Sequence, residues 1–159
     1  MVDYWSEAGR IINHLIGGTT YEWGPVLVKD GRLWGPDGTF LQFPELCWRP
    51  DARMPNGDLL EPHYGYKSRK GWTKLYGGKL TENVIQWLAR VNLAEDIRVL
   101  LAEGYKIVNL EHDAIIMLVK QDGSEQDKLR RVIEVMKRSP TWLPDIPLDA
   151  EGSLGETYG

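Results

Sequence analysis

The sequence predicts an α+β fold, with helices covering one face of an antiparallel sheet. Two observations predict it. A long helical run over 79–103 leads into two β-rich runs, 105–110 and 115–119, separated by four residues, and an amphipathic helix over 124–138 follows. Ahead of these, 19–76 is broken by Pro44, Pro50, Pro55 and Pro62 and by the turn pairs Asp30-Gly31, Asp37-Gly38 and Asn56-Gly57.

Each element has its own signature. Over 4–16, Trp5, Ala8, Ile11, Ile12 and Leu15 share one helical face, Asp3 or Ser6 offers a cap, and Gly17-Gly18 is the stop. In 19–76, Pro25-Val26-Leu27-Val28, Thr39 to Phe43 and Trp72 to Tyr76 are strand-like. The segment offers little core of its own and is expected to lean on something else. The 79–103 helix carries Leu80, Val84, Trp87, Leu88, Val91, Ala94, Ile97, Val99, Leu100 and Leu101. Thr81 is its candidate N-cap, Asn92 a candidate bend, and Gly104 its C-cap. The 105–119 hairpin has Glu111-His112-Asp113-Ala114 at its tip. The 124–138 helix turns Leu129, Val132, Ile133 and Met136 inward, with Ser124 as cap and Ser139-Pro140 as stop. Two strands make too small a sheet for independent stability, so a further strand is expected from this chain or from a partner.

The chain reads as a single region: a helix to 18, a hairpin-rich segment 19–76, helix–hairpin–helix over 77–140, and a tail 141–159. Its 159 residues suit one domain. The net charge of −4 argues against a generic nucleic-acid binder. The distribution matters more than the sum. Between His63 and Lys79 stand Lys67, Arg69, Lys70, Lys74 and Lys79 with no acid, while Asp145 to Gly159 holds Asp145, Asp149, Glu151 and Glu156 with no cation. Seven Trp suggest an interface as well as a core. Cys47 is alone, which excludes an internal disulfide and suits a reducing cytoplasm. No apolar run is long enough for a membrane span, and the first residues are not a signal peptide.

The residues that carry chemistry gather at His112-Asp113. Two readings fit. Asp and His tolerate turn geometry; or a carboxylate on a rigid hairpin tip holds a divalent cation, as Mg²⁺ prefers carboxylate oxygens and substrate phosphates. A two-metal site needs a further acid nearby. His14 and His63 lack a partner pattern and read as structural, and Glu95-Asp96 reads as a solvated helix face.

Context favours the second reading. The run Tyr76-Gly77-Gly78-Lys79-Leu80-Thr81-Glu82-Asn83-Val84-Ile85-Gln86-Trp87-Leu88-Ala89-Arg90, then Gly104-Tyr105, then the hairpin with His-Asp at its tip, resembles the third conserved palm block of family A DNA polymerases of bacteriophage type. Gly31-Arg32-Leu33 through Phe43-Pro44-Glu45-Leu46 resembles the hairpins ahead of that block, and Pro140-Thr141-Trp142 to Gly155 resembles the phage-type terminus.

The resemblance implies roles. Asp113 would ligate catalytic Mg²⁺ and His112 would lie beside the primer terminus. Gln86 would contact the primer–template minor groove, with Glu82 and Asn83 one turn earlier; Lys79, Lys74, Arg69 and Lys67 would meet phosphates. The bland alternatives are an exposed helix polar group for Gln86 and a solvated loop for the lysines. The family's His-Asp-Glu here ends in Ala114, and Glu111 stands on the other side of His112 as a substitute metal ligand. The first palm block, with the other metal-binding Asp, and the fingers helix that holds the dNTP have no match. The resemblance therefore implies a C-terminal subunit or fragment, inactive alone. An N-terminal polymerase chain would complete it, in a bacterial host cytoplasm if phage-encoded. The reading from another class is a non-catalytic DNA-binding or assembly module.

Overall fold

A computed structural model describes residues 2–54 and 56–157, with side chains from Ser6 onward. The inward position expected of Trp5, the Asp3 side chain and the break at Pro55 lie outside the described parts. The fold is α+β, with three helices and antiparallel sheets among the described residues, as the apolar periodicities predict. The chain divides into two compact units, Met1–Leu88 and Ala89–Gly159.

The first unit opens with α1 (Val2–Gly17), which buries Ala8, Ile11, Ile12 and Leu15 on one face. The helix already includes Asp3 and Ser6, so neither is its cap. Gly18 ends it at φ +64°, letting the Thr19 N–H reach back to the His14 carbonyl. A four-stranded meander follows: β1 (Tyr21–Trp23), β2 (Val26–Lys29), β3 (Arg32–Trp34) and β4 (Phe40–Gln42). Asp30 and Gly31 join β2 to β3 with φ of 53° and 69°, the double positive φ of a two-residue hairpin turn. A three-stranded sheet, β5 (Cys47–Arg49), β6 (His63–Ser68) and β7 (Gly71–Leu75), comes next.

These short strands share one core with the helices, so 19–76 leans on its neighbours, as the sequence-based expectation had it. Most contribute one or two inward side chains and β5 contributes none: Trp23, Val26, Val28, Leu33 and Leu75 pack with the buried face of α1 and with Leu80 and Val84. Full burial stabilises each aliphatic side chain by about 1.5–3 kcal/mol relative to exposure, so this cluster is what holds the meander in place.

Helix α2 (Gly77–Ala102) starts in the first unit and ends in the second. Thr81 is not its N-cap. It sits inside the helix, buried, and its hydroxyl donates to the Gly77 carbonyl at 2.9 Å. The helix runs through Asn92 without a break. It closes as expected at Gly104, φ +87°: the Gly104 N–H donates to the Leu101 carbonyl and the Tyr105 N–H to that of Leu100, a Schellman motif.

In the second unit a two-stranded sheet, β8 (Lys106–Glu111) with β9 (Ala114–Leu118), precedes α3 (Glu125–Met136). Val132 and Val135 of α3 and Leu100 are the buried centre, with Ile107, Ile115, Met117 and Met136 partly buried around them. Ser124 stands at the N-cap position but makes no capping bond; its hydroxyl turns back to Asp122. The tail packs on α3, so closely at Gly152 that a Cβ there would lie 2.9 Å from Leu129.

Glu95-Asp96 is not a solvated face. Asp96 is 2% exposed, beside Asn92 and 3.8 Å from Arg138, and Glu95 accepts a hydrogen bond from the Trp142 indole at 3.0 Å. Burial raises the Asp96 carboxyl to about 6, against the nearby Arg138 charge, which lowers it.

Candidate functional site

The hairpin tip is tighter than its sequence suggested. Glu111 pairs directly with Ala114, leaving His112 and Asp113 as a two-residue turn. His112 takes φ +55°, the positive value that primed hairpin turns require. All four tip residues are exposed.

Register also decides which side chains share a face. Opposed residues of an antiparallel pair point the same way, with Cβ atoms about 4.5–5.5 Å apart. Glu111 therefore stands directly across from Ala114, the position where the resembling family carries a carboxylate. Nearer the helices, Ile107 opposes Met117, and both join the unit's core. That partly buried end anchors the hairpin, while Val108 and Leu110 remain about half exposed. A register irregularity lies between Ile107 and Asn109, and such bulges bend a strand and re-aim its side chains.

A cleft of about 1010 Å³ runs from Asp113 along β9 to the tail, between Met117, Leu129, Ile133 and Gly152. Its walls are mainly aliphatic. Among the described residues, no three of His, Cys, Asp and Glu converge in a way that would hold a metal. Asp113 and Glu111 offer hard oxygen donors of the type Mg²⁺ takes, enough for part of a coordination shell.

The remaining sequence-predicted residues belong to the first unit. Lys79, Glu82 and Gln86 form one strip on α2: Lys79 Nζ donates to Glu82 at 2.9 Å, and Gln86 Nε2 donates to the same carboxylate at 3.3 Å. The Glu82 hydrogen bond raises the Lys79 pKa above its ordinary value. Gln86 is exposed and Asn83 half-buried. Lys67 and Lys74 project from β6 and β7, and Arg69 sits in the turn between them. His14 and His63 are structural, as expected: His14 bonds Thr19 at 2.7 Å and stacks on Tyr21, and His63 is buried against the Glu61 carbonyl.

Two residues escaped the sequence reading. Arg49 lies over the ring of Trp72, 4.1 Å from its centroid, beside Lys67 and Lys74. An aromatic inside the acid-free run from His63 to Lys79 was the available signal for Trp72; Arg49 had none, since only strand pairing brings it there.

Comparison with known proteins gives two partial likenesses. The chain is 36% identical over 89 residues to a DNA polymerase of Bacillus phage SP02, an alignment covering 55% of this chain and 13% of that enzyme. It is 36% identical over 73 residues to the DNA-directed RNA polymerase subunit beta of Acetivibrio thermocellus, covering 43% of this chain and 6% of that subunit. The chain thus spans only a small part of either relative, and the likeness supports a relationship to nucleic-acid polymerases. No family model matches the chain, and no solved structure does. Among the described residues, no helix is long and apolar enough to cross a membrane.

Proposed function

We propose that this chain is the C-terminal part of a family A DNA polymerase, contributing one side of a Mg²⁺ site and contacts to primer–template DNA. The observation that carries the reading is the hairpin tip: Asp113 in a two-residue turn, with Glu111 directly opposite Ala114. Its likeness to the phage enzyme supports the same reading.

The residues divide the work by chemistry. Asp113 is the principal metal ligand, and Glu111 supplies from the opposite strand the carboxylate that Ala114 lacks. Bound Mg²⁺ would supply charge neutralisation at the reacting phosphates. His112, locked at the tip by its positive φ, lines the primer terminus. Gln86, held by Glu82, reaches minor-groove acceptors, which are nearly independent of sequence. Lys79, Lys74, Arg69 and Lys67 meet phosphates, and Asn83 flanks the strip. In the reaction, the primer 3′-oxygen bonds the α-phosphorus of a dNTP and pyrophosphate leaves. An N-terminal chain must bring the other metal-binding aspartate and the fingers helix, so this chain alone is inactive. Ala114 and the lack of a three-ligand cluster among the described residues favour one competing reading, a binding or assembly module without chemistry.

Primer extension separates the two. The assay mixes this chain with the SP02 enzyme truncated before the segment that aligns with it. Extension is expected to appear on mixing and to fall by roughly two orders of magnitude or more with Asp113→Ala. Undiminished extension by that variant sinks the metal role; duplex binding without Mg²⁺-dependent extension favours the module.

A further inference from the structure

The outward face of the β5–β6–β7 sheet sets an exposed indole among cations. Strand register fixes the arrangement: Cys47 lies beside Gly65, Gly65 beside Lys74, and Lys67 beside Trp72. Side chains alternate along a strand, so Arg49, Lys67, Trp72 and Lys74 share this face. Tyr64, Tyr66 and Leu75 take the other and pack into the core. Trp72 therefore has Lys67 directly across, Lys74 two residues along its own strand, and Arg49 over its ring. Gly65 makes the last contact possible, because a Cβ there would stand 2.9 Å from Arg49 Cδ. Arg69 and Lys70 form the adjoining turn. Among the described residues, Glu45, 3.3 Å from Lys67, is the one carboxylate ion-paired to any of these cations.

Ordinary surface chemistry accounts for part of this. Solubility explains lysines on a strand, but not a Trp left 44% exposed among them. The cation–π contact covers one ring face and fixes the ring's orientation. The exposed part of the indole and the flanking cations suit a ligand that carries both a flat π surface and phosphates. A duplex hides its base faces in the stack, whereas a single strand presents them.

We infer that this face binds single-stranded nucleic acid, with a base stacked on Trp72 and neighbouring phosphates on Lys67, Lys74 and Arg69. The inference goes beyond the duplex contacts proposed above. It shares their nucleic-acid ligand and does not depend on Asp113.

The test is fluorescence anisotropy of a labelled oligothymidylate of about twelve residues, a length within the span of known single-strand sites, titrated with the full chain. Trp72→Ala is expected to weaken binding roughly tenfold, and Trp72→Phe to retain most of it. A blunt duplex of equal length is expected to bind more weakly, with no loss in Trp72→Ala. Cys47, the lone cysteine, lies on the same face and is exposed, so a benzophenone maleimide there is expected to crosslink the oligothymidylate. Thermal melting checks that the variants fold; if Trp72→Ala does not, Trp72→Phe and the crosslink decide. Absent binding, absent crosslinking, or equal affinity of folded Trp72→Ala and wild type overturns the inference. Failed primer extension with oligothymidylate binding intact counts against the polymerase reading alone.

Discussion

The two units bury their apolar residues very differently. In the first, α1, two small sheets and the start of α2 close over a core in which Ile11, Val28, Leu33 and Leu80 are 0% exposed. In the second, Leu100, Val132 and Val135 form the buried centre, while Val108, Leu110 and Leu118 of the hairpin are about half exposed. The hairpin with the candidate metal ligands thus sits in the thinner unit. A two-stranded sheet is marginal in water. Exposed apolar strand positions mark an interface better than they mark a core.

Substitutions can break or sharpen this contrast. The largest effect is expected from Leu33→Ala, which leaves a cavity in the closed core and should cost about 2–5 kcal/mol in urea unfolding. A cost near zero would mean that the first unit is as loosely packed as the second.

A smaller effect concerns Asp96, which faces Asn92, Glu95 and Arg138. Its carboxyl is raised to about 6, so the folded chain holds this proton more tightly than the unfolded chain. The contribution to stability is then fully present below the unfolded pKa and is lost as pH rises through about 6. Glu103 and Asp122 have lowered pKa values, from hydrogen bonds with Arg131 and with Ser124 and Lys128 respectively, so their opposite dependence falls at lower pH. Unfolding measured between about pH 4.5 and 6.5 should show stability falling by on the order of 1 kcal/mol, and Asp96→Asn should flatten that slope. An unchanged slope in the variant would assign it to another group.

The smallest effect is expected at the hairpin. Leu110→Ser should change the stability of the isolated chain by no more than about 0.5 kcal/mol, because the side chain is 48% exposed. A large loss would show that the hairpin supports its own unit's core.

The same contrast explains what the sequence disclosed. Helices with a full apolar stripe were legible, because spacing alone reports a buried face; α1 and α3 are examples. The hairpin was legible because Ile115 to Val119 is an unbroken apolar run. Strands β5 and β6 were not, since Cys47-Trp48-Arg49 and His63 to Ser68 carry no apolar alternation and become strands only by pairing. The inward residues of 19–76 were hidden for a related reason: a short strand donates at most one or two to the core shared with α1 and α2, too few for a local pattern. Glu95-Asp96 was misread because the partners, Trp142 for Glu95 and Arg138 for Asp96, arrive some forty residues later. Of the candidate site, the residue types at the tip were legible. The pairing of Glu111 with Ala114 was not, because it depends on the turn closing over two residues rather than four.

That pairing can be tested on the isolated chain. Mn²⁺ stands in for Mg²⁺, and its paramagnetic broadening of backbone amide signals reports which residues it approaches. Titration is expected to broaden Glu111, His112 and Asp113 first, with the effect abolished by Asp113→Ala and weakened by Glu111→Gln. Broadening that bypasses the tip, or that survives Asp113→Ala unchanged, would contradict the account.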